Sequence, residues 1–219
     1  MKIIELHETI TASNDRDAED LRDLLKEKKV FMVNLMSSPG SGKTTLLSRI
    51  IKDMNEKLRI AVLEADIESA VDAETIESLG AKAVQVHTDG MCHMDAGMTR
   101  EGLLGMGLDD VDVAFLENVG NLICPAEFDT GSSKNAMILS VPEGDDKPLK
   151  YPLMFSECDI LVISKMDTIQ YFDFDVELCK QRVRYLNPNI KIFPVSAKTG
   201  QGMDALEQWI AENHKDWVK

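Results

Sequence analysis

Ser37-Ser38-Pro39-Gly40-Ser41-Gly42-Lys43-Thr44-Thr45 carries the most specific chemistry in this chain of 219 residues. Glycines at 40 and 42 let the backbone curl so that successive N–H groups point at phosphate oxygens. A lysine after the second glycine suits the β- and γ-phosphates of a nucleotide, and the Thr44 hydroxyl suits Mg²⁺. The usual pattern is G-x-x-x-x-G-K-[ST]; here Ser37 stands at the first glycine position, with Pro39 and Gly40 available for the turn. An apolar run, Val30–Met36, precedes the loop, and a helix candidate, Lys43–Asn55, follows it. Strand before and helix after is the context of a phosphate cradle, because the helix N-terminus adds partial positive charge. Ser38, Gly40, Ser41, Gly42, Lys43, Thr44 and Thr45 are therefore the candidate nucleotide-binding residues of a P-loop.

Acids must accompany a metal-assisted phosphate site. Asp66 ends the run Ile60-Ala61-Val62-Leu63-Glu64-Ala65-Asp66, and the carboxyl ends of parallel strands line the ligand crevice. It is the first candidate for Mg²⁺ or for positioning water; Asp72, six residues on, reads equally as a helix-capping acid. Val111–Leu116 runs into Glu117-Asn118-Val119-Gly120. Gly120 can offer an unobstructed N–H to a γ-phosphate, and Glu117 can reach the Mg²⁺ shell or a water. Lys43, Asp66, Glu117 and Gly120 are the catalytic candidates; Thr44 and Asp66 are the Mg²⁺ candidates.

A second constellation addresses the base. Ile160–Ile163 leads into Ser164-Lys165-Met166-Asp167, which resembles the guanine-specificity motif N-K-x-D of GTPases. A carboxylate there accepts from guanine N1–H and the exocyclic amino group; adenine leaves it unpaired. The Lys165 stem can cover the base plane. Ser164 replaces the usual Asn, which removes that side chain's contribution and leaves the Asp contact. Ser196-Ala197-Lys198, after Lys191–Val195, matches the S-A-K motif whose backbone N–H meets guanine O6. The two segments together select GTP over ATP.

Soft ligands form a third group. Gly90-Met91-Cys92-His93-Met94-Asp95 follows the run Ala83–Val86, and Cys124 lies in Gly120-Asn121-Leu122-Ile123-Cys124-Pro125. Both loops are expected at the nucleotide edge of a sheet. Two thiolates and an imidazole suit Zn²⁺ or Ni²⁺. Spacing alone leaves a second reading equally open, in which Cys92 and Cys124 are small buried apolar groups. Cys158 and Cys179 take that core reading. Three ligands per chain leave a coordination shell incomplete, which a symmetric dimer could complete across its two-fold axis. His87 is a possible extra ligand.

The elements that must position these groups follow from the apolar runs, to which Ala136–Val141 adds a seventh. Near-continuous runs suit strands covered on both faces. Between them lie the helix candidates Val71–Leu79, Met94–Met106, Tyr151–Ser156, Phe174–Tyr185 and Gly202–Asn213. This alternation predicts an α/β fold, a doubly wound, mostly parallel sheet with helices on both faces and right-handed crossovers. Ala18, Leu21, Leu24 and Leu25 recur at helical spacing, so Asp15–Lys28 reads as a helix capped by Ser13, Asn14 or Asp15. Residues 1–29 are then an N-terminal helical extension to a domain of residues 30–219. Ala126–Asn135 and Glu143–Lys150, rich in Gly, Ser, Asp and Lys, read as mobile loops.

Composition narrows the partners. Net charge is −14, which disfavours nucleic acid and anionic membranes, since phosphate-backbone binding needs clustered Lys and Arg. No run of about 18 apolar residues predicts a membrane span, and no basic-flanked apolar run near Met1 predicts a signal peptide. Four cysteines are too sparse for a disulfide framework, so reduced thiols in the cytoplasm are expected.

The segments Ser37–Thr45, Cys92-His93, Glu117–Pro125 and Gly144–Pro152 resemble the HypB family, GTPases that help insert nickel into [NiFe] hydrogenases. The resemblance runs from about Val30 to the end and is most specific in Glu117–Pro125. It implies a slow SIMIBI-class GTPase with GTP/GDP and Mg²⁺, dimerising when loaded with GTP. It implies a metal site at Cys92, His93 and Cys124 near the subunit interface. It also implies the hydrogenase large subunit and other nickel-insertion accessory proteins as partners. Some members carry an N-terminal Cys-rich or His-rich tract; only His7 and no cysteine precede the domain here, so N-terminal nickel storage is not expected. By resemblance Gly144–Pro152 lies near the dimer interface, where Lys147 or Lys150 could reach the partner's nucleotide. A urease-accessory G-protein would carry Cys-Pro-His, unlike Cys92-His93 and Cys124-Pro125. A storage module with a vestigial nucleotide site would not need Lys43, Thr44 and Asp167 intact.

Overall fold

Alternation explains why the apolar runs are nearly unbroken. Along the strand Phe31–Ser37 (β1), Phe31, Val33 and Leu35 pack into one layer, while Met32 and Met36 pack into the other. Successive side chains point to opposite faces, so a strand covered on both faces is apolar at both parities. The computed structural model describes residues 7–65, 71–88 and 90–219; the side chains of residues 7–11 and 71–74 fall outside that description.

Six further strands join β1: Ile60–Ala65 (β2), Lys82–Val86 (β3), Val113–Glu117 (β4), Lys134–Ser140 (β5), Ile160–Ser164 (β6) and Lys191–Pro194 (β7). Their order is β3-β2-β4-β1-β5-β6-β7, and every pairing is parallel. The helices are His7–Glu27 (α1), Lys43–Met54 (α2), Val71–Ser78 (α3), Ala96–Met106 (α4), Cys124–Glu127 (α5), Lys147–Lys150 (α6), Pro152–Ser156 (α7), Val176–Leu186 (α8) and Met203–Trp217 (α9). On one face, Leu46, Leu47, Ile50, Ile51 and Met54 of α2 meet Met203, Leu206, Trp209 and Ile210 of α9. Each such buried side chain stabilises the fold by about 1.5–3 kcal/mol. On the other face, Leu21 and Leu25 of α1 and Leu103 of α4 cover the β2–β4 side. Met154 and Phe155 of α7, with Cys179 and Val183 of α8, cover the β5–β6 side. The doubly wound parallel sheet expected from the sequence is therefore present. Among the described residues no helix is long and apolar enough to cross a membrane.

Three expectations need correction. α1 begins at His7, not Asp15, so Ser13, Asn14 and Asp15 lie inside the helix rather than capping it. Asn14 is used in tertiary bonds instead, donating to the Asp129 carbonyl and accepting from the Ala96 N–H. The Ala126–Asn135 segment is anchored rather than loose: it overlaps α5 and β5, and the Arg22 guanidinium grips both oxygens of Asp129 at 2.9 and 2.6 Å. Burial alone would raise the Asp129 carboxyl, but Arg22 and the Gly131 N–H outweigh it and hold the group below the usual carboxylate range. In Glu143–Lys150, the Glu143 carboxylate accepts from the Ser140 N–H and hydroxyl, and Asp145 pairs with Arg182. Short polar residues read as loop formers because they satisfy backbone groups locally; here Asp129 and Asp145 also pair with arginines on distant helices.

Leu21 is fully buried. Leu21→Ala is expected to cost about 2–5 kcal/mol, measured as a shift in the urea unfolding midpoint. An unchanged midpoint would show that α1 contributes nothing to the core.

Candidate functional site

β1 ends at Ser37 and α2 begins at Lys43, so the glycine loop spans the gap between a central strand and a helix N-terminus. Gly42 caps α2 at φ 94°, a left-handed conformation that side chains resist. Ser37, standing where a glycine was expected, is fully buried and forms a hub. Its hydroxyl accepts from Ser41 Oγ at 2.7 Å and Lys43 Nζ at 2.9 Å, and donates to the Ser38 carbonyl at 2.8 Å. Thr44 Oγ1 donates to Glu117 Oε1 at 3.0 Å, across the gap between α2 and the end of β4. Gly120 closes against the loop: a Cβ there would lie 3.0 Å from the Pro39 nitrogen. A cleft of about 580 Å³ results, lined by Gly40, Gly42, Lys43, Thr44, Thr45, Glu117 and Gly120.

Glu64, which sequence reading passed over as part of a strand, is buried and lines the same cleft. It pairs in register with Glu117 across β2 and β4. The available signal was an acid inside an apolar run. Asp66 lies outside the described residues; Asp72 falls in α3, with its side chain outside the description.

An adjoining cavity of about 290 Å³ is lined by Ser41, Thr45, Ser164, Lys165, Asp167, Ala197 and Lys198. Its two strand exits are stitched together: the Met166 N–H donates to the Val195 carbonyl at 3.1 Å, and Ser196 Oγ donates to Asp167 Oδ1 at 2.7 Å. Ser164 donates to the Ser41 carbonyl at 2.8 Å, so the serine ties β6 to the phosphate loop. Lys165 Nζ donates to the Gly40 carbonyl at 2.7 Å, and its side chain borders both cavities.

Cys92, His93 and Cys124 come together, with one ligand atom from each lying within 4.8 Å of the others. Cys92 is exposed, Cys124 half-buried and His93 buried. The imidazole stacks on Phe128 with centroids 3.9 Å apart, and its Nδ1 lies 3.7 Å from Cys92 Sγ. Its Nε2 is buried with no hydrogen-bond partner among the described residues. An imidazole fixed by stacking beside two sulfurs fits a divalent cation that prefers mixed S/N ligands. Burial lowers the His93 pKa below its ordinary value. Hydrogen bonding to Cys124, then burial, raise the Cys92 thiol. His87, exposed after β3, stands outside this group. Cys158 and Cys179 are core thiols: Cys158 donates to the Met154 carbonyl, and burial pushes Cys179 up to about 12.

Sequence reading missed the asparagines that support this cluster. Asn118, 1% exposed, accepts from the Met94 N–H at 3.2 Å and donates to Asn34 Oδ1 at 3.1 Å. Asn34 in turn donates to Asn135 Oδ1 at 3.1 Å. Asn121 donates to the Cys92 carbonyl at 3.3 Å and accepts from the Ile123 N–H at 2.9 Å. Only Asn34, a polar residue within an apolar run, left a trace in the sequence. Lys150 pairs with Asp146 at 2.6 Å, and Lys147 Nζ lies 5.4 Å from the Tyr151 ring centroid.

A parallel sheet with a glycine cradle between its central strand and the following helix defines a P-loop nucleotide-binding protein. The CobW/HypB/UreG nucleotide-binding domain matches residues 31–194. The hydrogenase maturation factor HypB of Rhizobium leguminosarum is 41% identical over 209 residues, 95% of this chain and 70% of that protein. The crystal structure of HypB from Archaeoglobus fulgidus matches with a TM-score of 0.87 at 36% identity, covering 93% of this chain and 99% of that one. HypB from Helicobacter pylori in complex with nickel matches with a TM-score of 0.88 at 35% identity, covering 94% and 97%. The chain belongs to the CobW/HypB/UreG family, in its HypB branch.

The cluster sets a pH dependence for a cation held there. The thiolate is the ligand, so a raised Cys92 pKa means a proton must leave at neutral pH. Affinity for Zn²⁺ is expected to rise by up to about tenfold per pH unit for each proton released, between about pH 6.5 and 8.5. Burial lowers His93, which moves its own proton release towards the acid side of that range. Chelator competition across that range checks this, and a flat profile contradicts it.

Proposed function

We propose that this chain is a GTP-hydrolysing nickel metallochaperone that assists metal insertion during [NiFe]-hydrogenase maturation. One observation carries the reading. Cys124 lies four residues past Gly120, and Cys92 is hydrogen-bonded through Asn121 to that same segment, which lines the phosphate cleft. Metal ligands and phosphate-facing residues thus share one short piece of backbone. The R. leguminosarum relative is a hydrogenase maturation factor and the H. pylori relative forms a complex with nickel, which supports the process and the cargo.

In this reading the N–H groups of residues 40–45 hold the phosphates. Lys43 exchanges its bond to Ser37 for the β- and γ-phosphate oxygens. Thr44 and Glu117, whose oxygens converge at the cleft, would hold Mg²⁺ together with Asp66. That ion, when bound, neutralises charge on the β- and γ-oxygens. Glu117 or Asp66 orients the attacking water, and GTP leaves as GDP and phosphate. The Gly120 N–H reports whether the γ-phosphate is present. Asp167 accepts from guanine N1–H and the amino group, the Ala197 N–H meets O6, and Ser196 and Lys198 complete that loop. Ser196 orients the Asp167 carboxylate, and Lys165 covers the base.

Nickel is the cargo, and zinc fits the same donors. Three donors call for a fourth, and a GTP-dependent homodimer brings a second copy of the cluster to the shell. Residues 30–219 act as the GTPase domain. The extension of residues 1–29 carries α1, whose Asn14 and Arg22 brace the loops carrying His93 and Phe128. The setting is the cytoplasm, and the partners are the hydrogenase large subunit and other nickel-insertion proteins.

Two substitutions test the nucleotide assignment. Lys43→Ala is expected to lower kcat/KM for GTP by about 100-fold or more; retained turnover contradicts the role of Lys43. Asp167→Asn replaces an acceptor by a donor at the purine C2 edge. Preference is expected to move from GTP towards XTP, which carries a carbonyl there, by about tenfold or more. Competition binding with the two nucleotides measures it, and an unchanged preference removes Asp167 from base recognition.

A further inference from the structure

Asn118 and Asn121 stand on either side of the Val119-Gly120 pair, and each holds one part of the metal cluster by a side-chain hydrogen bond. Asn118 accepts from the N–H of Met94, the residue after His93. Asn121 donates to the carbonyl of Cys92 and accepts from the N–H of Ile123, the residue before Cys124. We propose that these two asparagines are the positioning residues through which nucleotide state reaches the cluster, Asn118 as a fixed anchor and Asn121 as a moving arm. This rests on the GTP-switch reading above.

The two amides differ in how they are held. Asn118 is buried, and its Nδ2 is pinned by Asn34 in the middle of β1. Asn34 is pinned in turn by Asn135 at the start of β5. The Asn118 backbone N–H also donates to the Leu35 carbonyl, so Asn118 is tied to the central strand twice. The His93–Met94 backbone is therefore referred to the sheet itself. Asn121 has no such tie among the bonds found for the described residues. It is half-buried, adjoins Gly120, and its side chain bonds only to the cysteine loops.

When the Gly120 N–H is drawn to a γ-phosphate or released from it, Asn121 moves with it and carries Cys92 and the Ile123–Cys124 turn. His93 stays where Asn118 and the Phe128 stack hold it. The separation between the sulfurs and the imidazole changes. Metal–ligand bonds of about 2.0–2.3 Å tolerate little such change, so affinity for the ion follows nucleotide state. A ligand shifts an equilibrium only by its differential affinity for the two states, and this geometry supplies that difference.

The test is nickel affinity of the full chain, by chelator competition, with GDP and with a non-hydrolysable GTP analogue. The wild type is expected to show a ratio between states of about fivefold or more. Asn121→Ala leaves the buried Asn118–Asn34–Asn135 line intact. It is expected to bring the ratio to within about twofold of one, and, by reciprocity, to remove to the same extent the effect of nickel on the preference between analogue and GDP. A merely structural role would change both affinities and leave their ratio. A full wild-type ratio in Asn121→Ala overturns the inference. Asn118→Ala is expected to lose the ratio too; should it fail to fold, Asn121→Ala alone decides. A ratio of one in the wild type overturns the switch reading itself, a result separable from retention in the variant.

Discussion

Parallel strands all deliver their carboxyl ends to one edge, and everything functional in this chain depends on that constraint. A parallel sheet can be built only with crossovers that return each strand to the same starting edge. The loops leaving β1, β3, β4, β6 and β7 therefore open on a common rim. Those five loops carry the glycine cradle, the Cys92–His93 pair, the Glu117–Cys124 segment, the Lys165–Asp167 pair and the Ser196–Lys198 turn. Residues up to about 150 positions apart in sequence become neighbours with no special device.

The rim is held in shape by polar groups at the places where the core is most apolar. Ser37 ends a strand buried throughout, yet its hydroxyl joins three other groups of the phosphate loop. Asn34, Asn118 and Asn135 cross the centre of the sheet as a line of amides. A buried amide left without partners costs about 1–3 kcal/mol, so such a line is stabilising only when its members find one another. Once satisfied, it fixes geometry more tightly than apolar packing does, because hydrogen bonds are directional. The sheet accepts polar groups in its interior, and the rim gains a rigid reference.

Much of this was legible in the residues because the features concerned are local. Lys43 and Thr44 follow Gly42 in a pattern set by phosphate geometry, and the near-continuous runs around β1 and β6 announce two covered faces. Cys92, His93 and Cys124 were readable as donors, while spacing could not bring Cys124 beside Cys92; the topology does that. The asparagine line, the helix start at His7 and the anchoring of Asp129 were not legible. The bonds of Asn14, Asp129 and Asn118 join partners about 80 to 115 residues apart, and asparagine in a string of residues looks like a turn former whether or not it has one. Ser37 shows the same limit: as a departure from a pattern it reads as a defect, and its bonds make it a hub.

The bonds between α1 and the rim have a consequence for the order in which the molecule is made. α1 is synthesised well before its partners: Asn14 and Arg22 find Ala96 and Asp129 only after another 82 to 115 residues have been added. The central strand β1 likewise waits for β4 and β5. Contacts of such long range form late and slowly. This helix, made before the groups it binds, is therefore among the last pieces to dock. Until then the apolar stripe of Ala18, Leu21 and Leu25 remains open, a surface that a chaperone or a neighbouring nascent chain meets before the rest of the protein does.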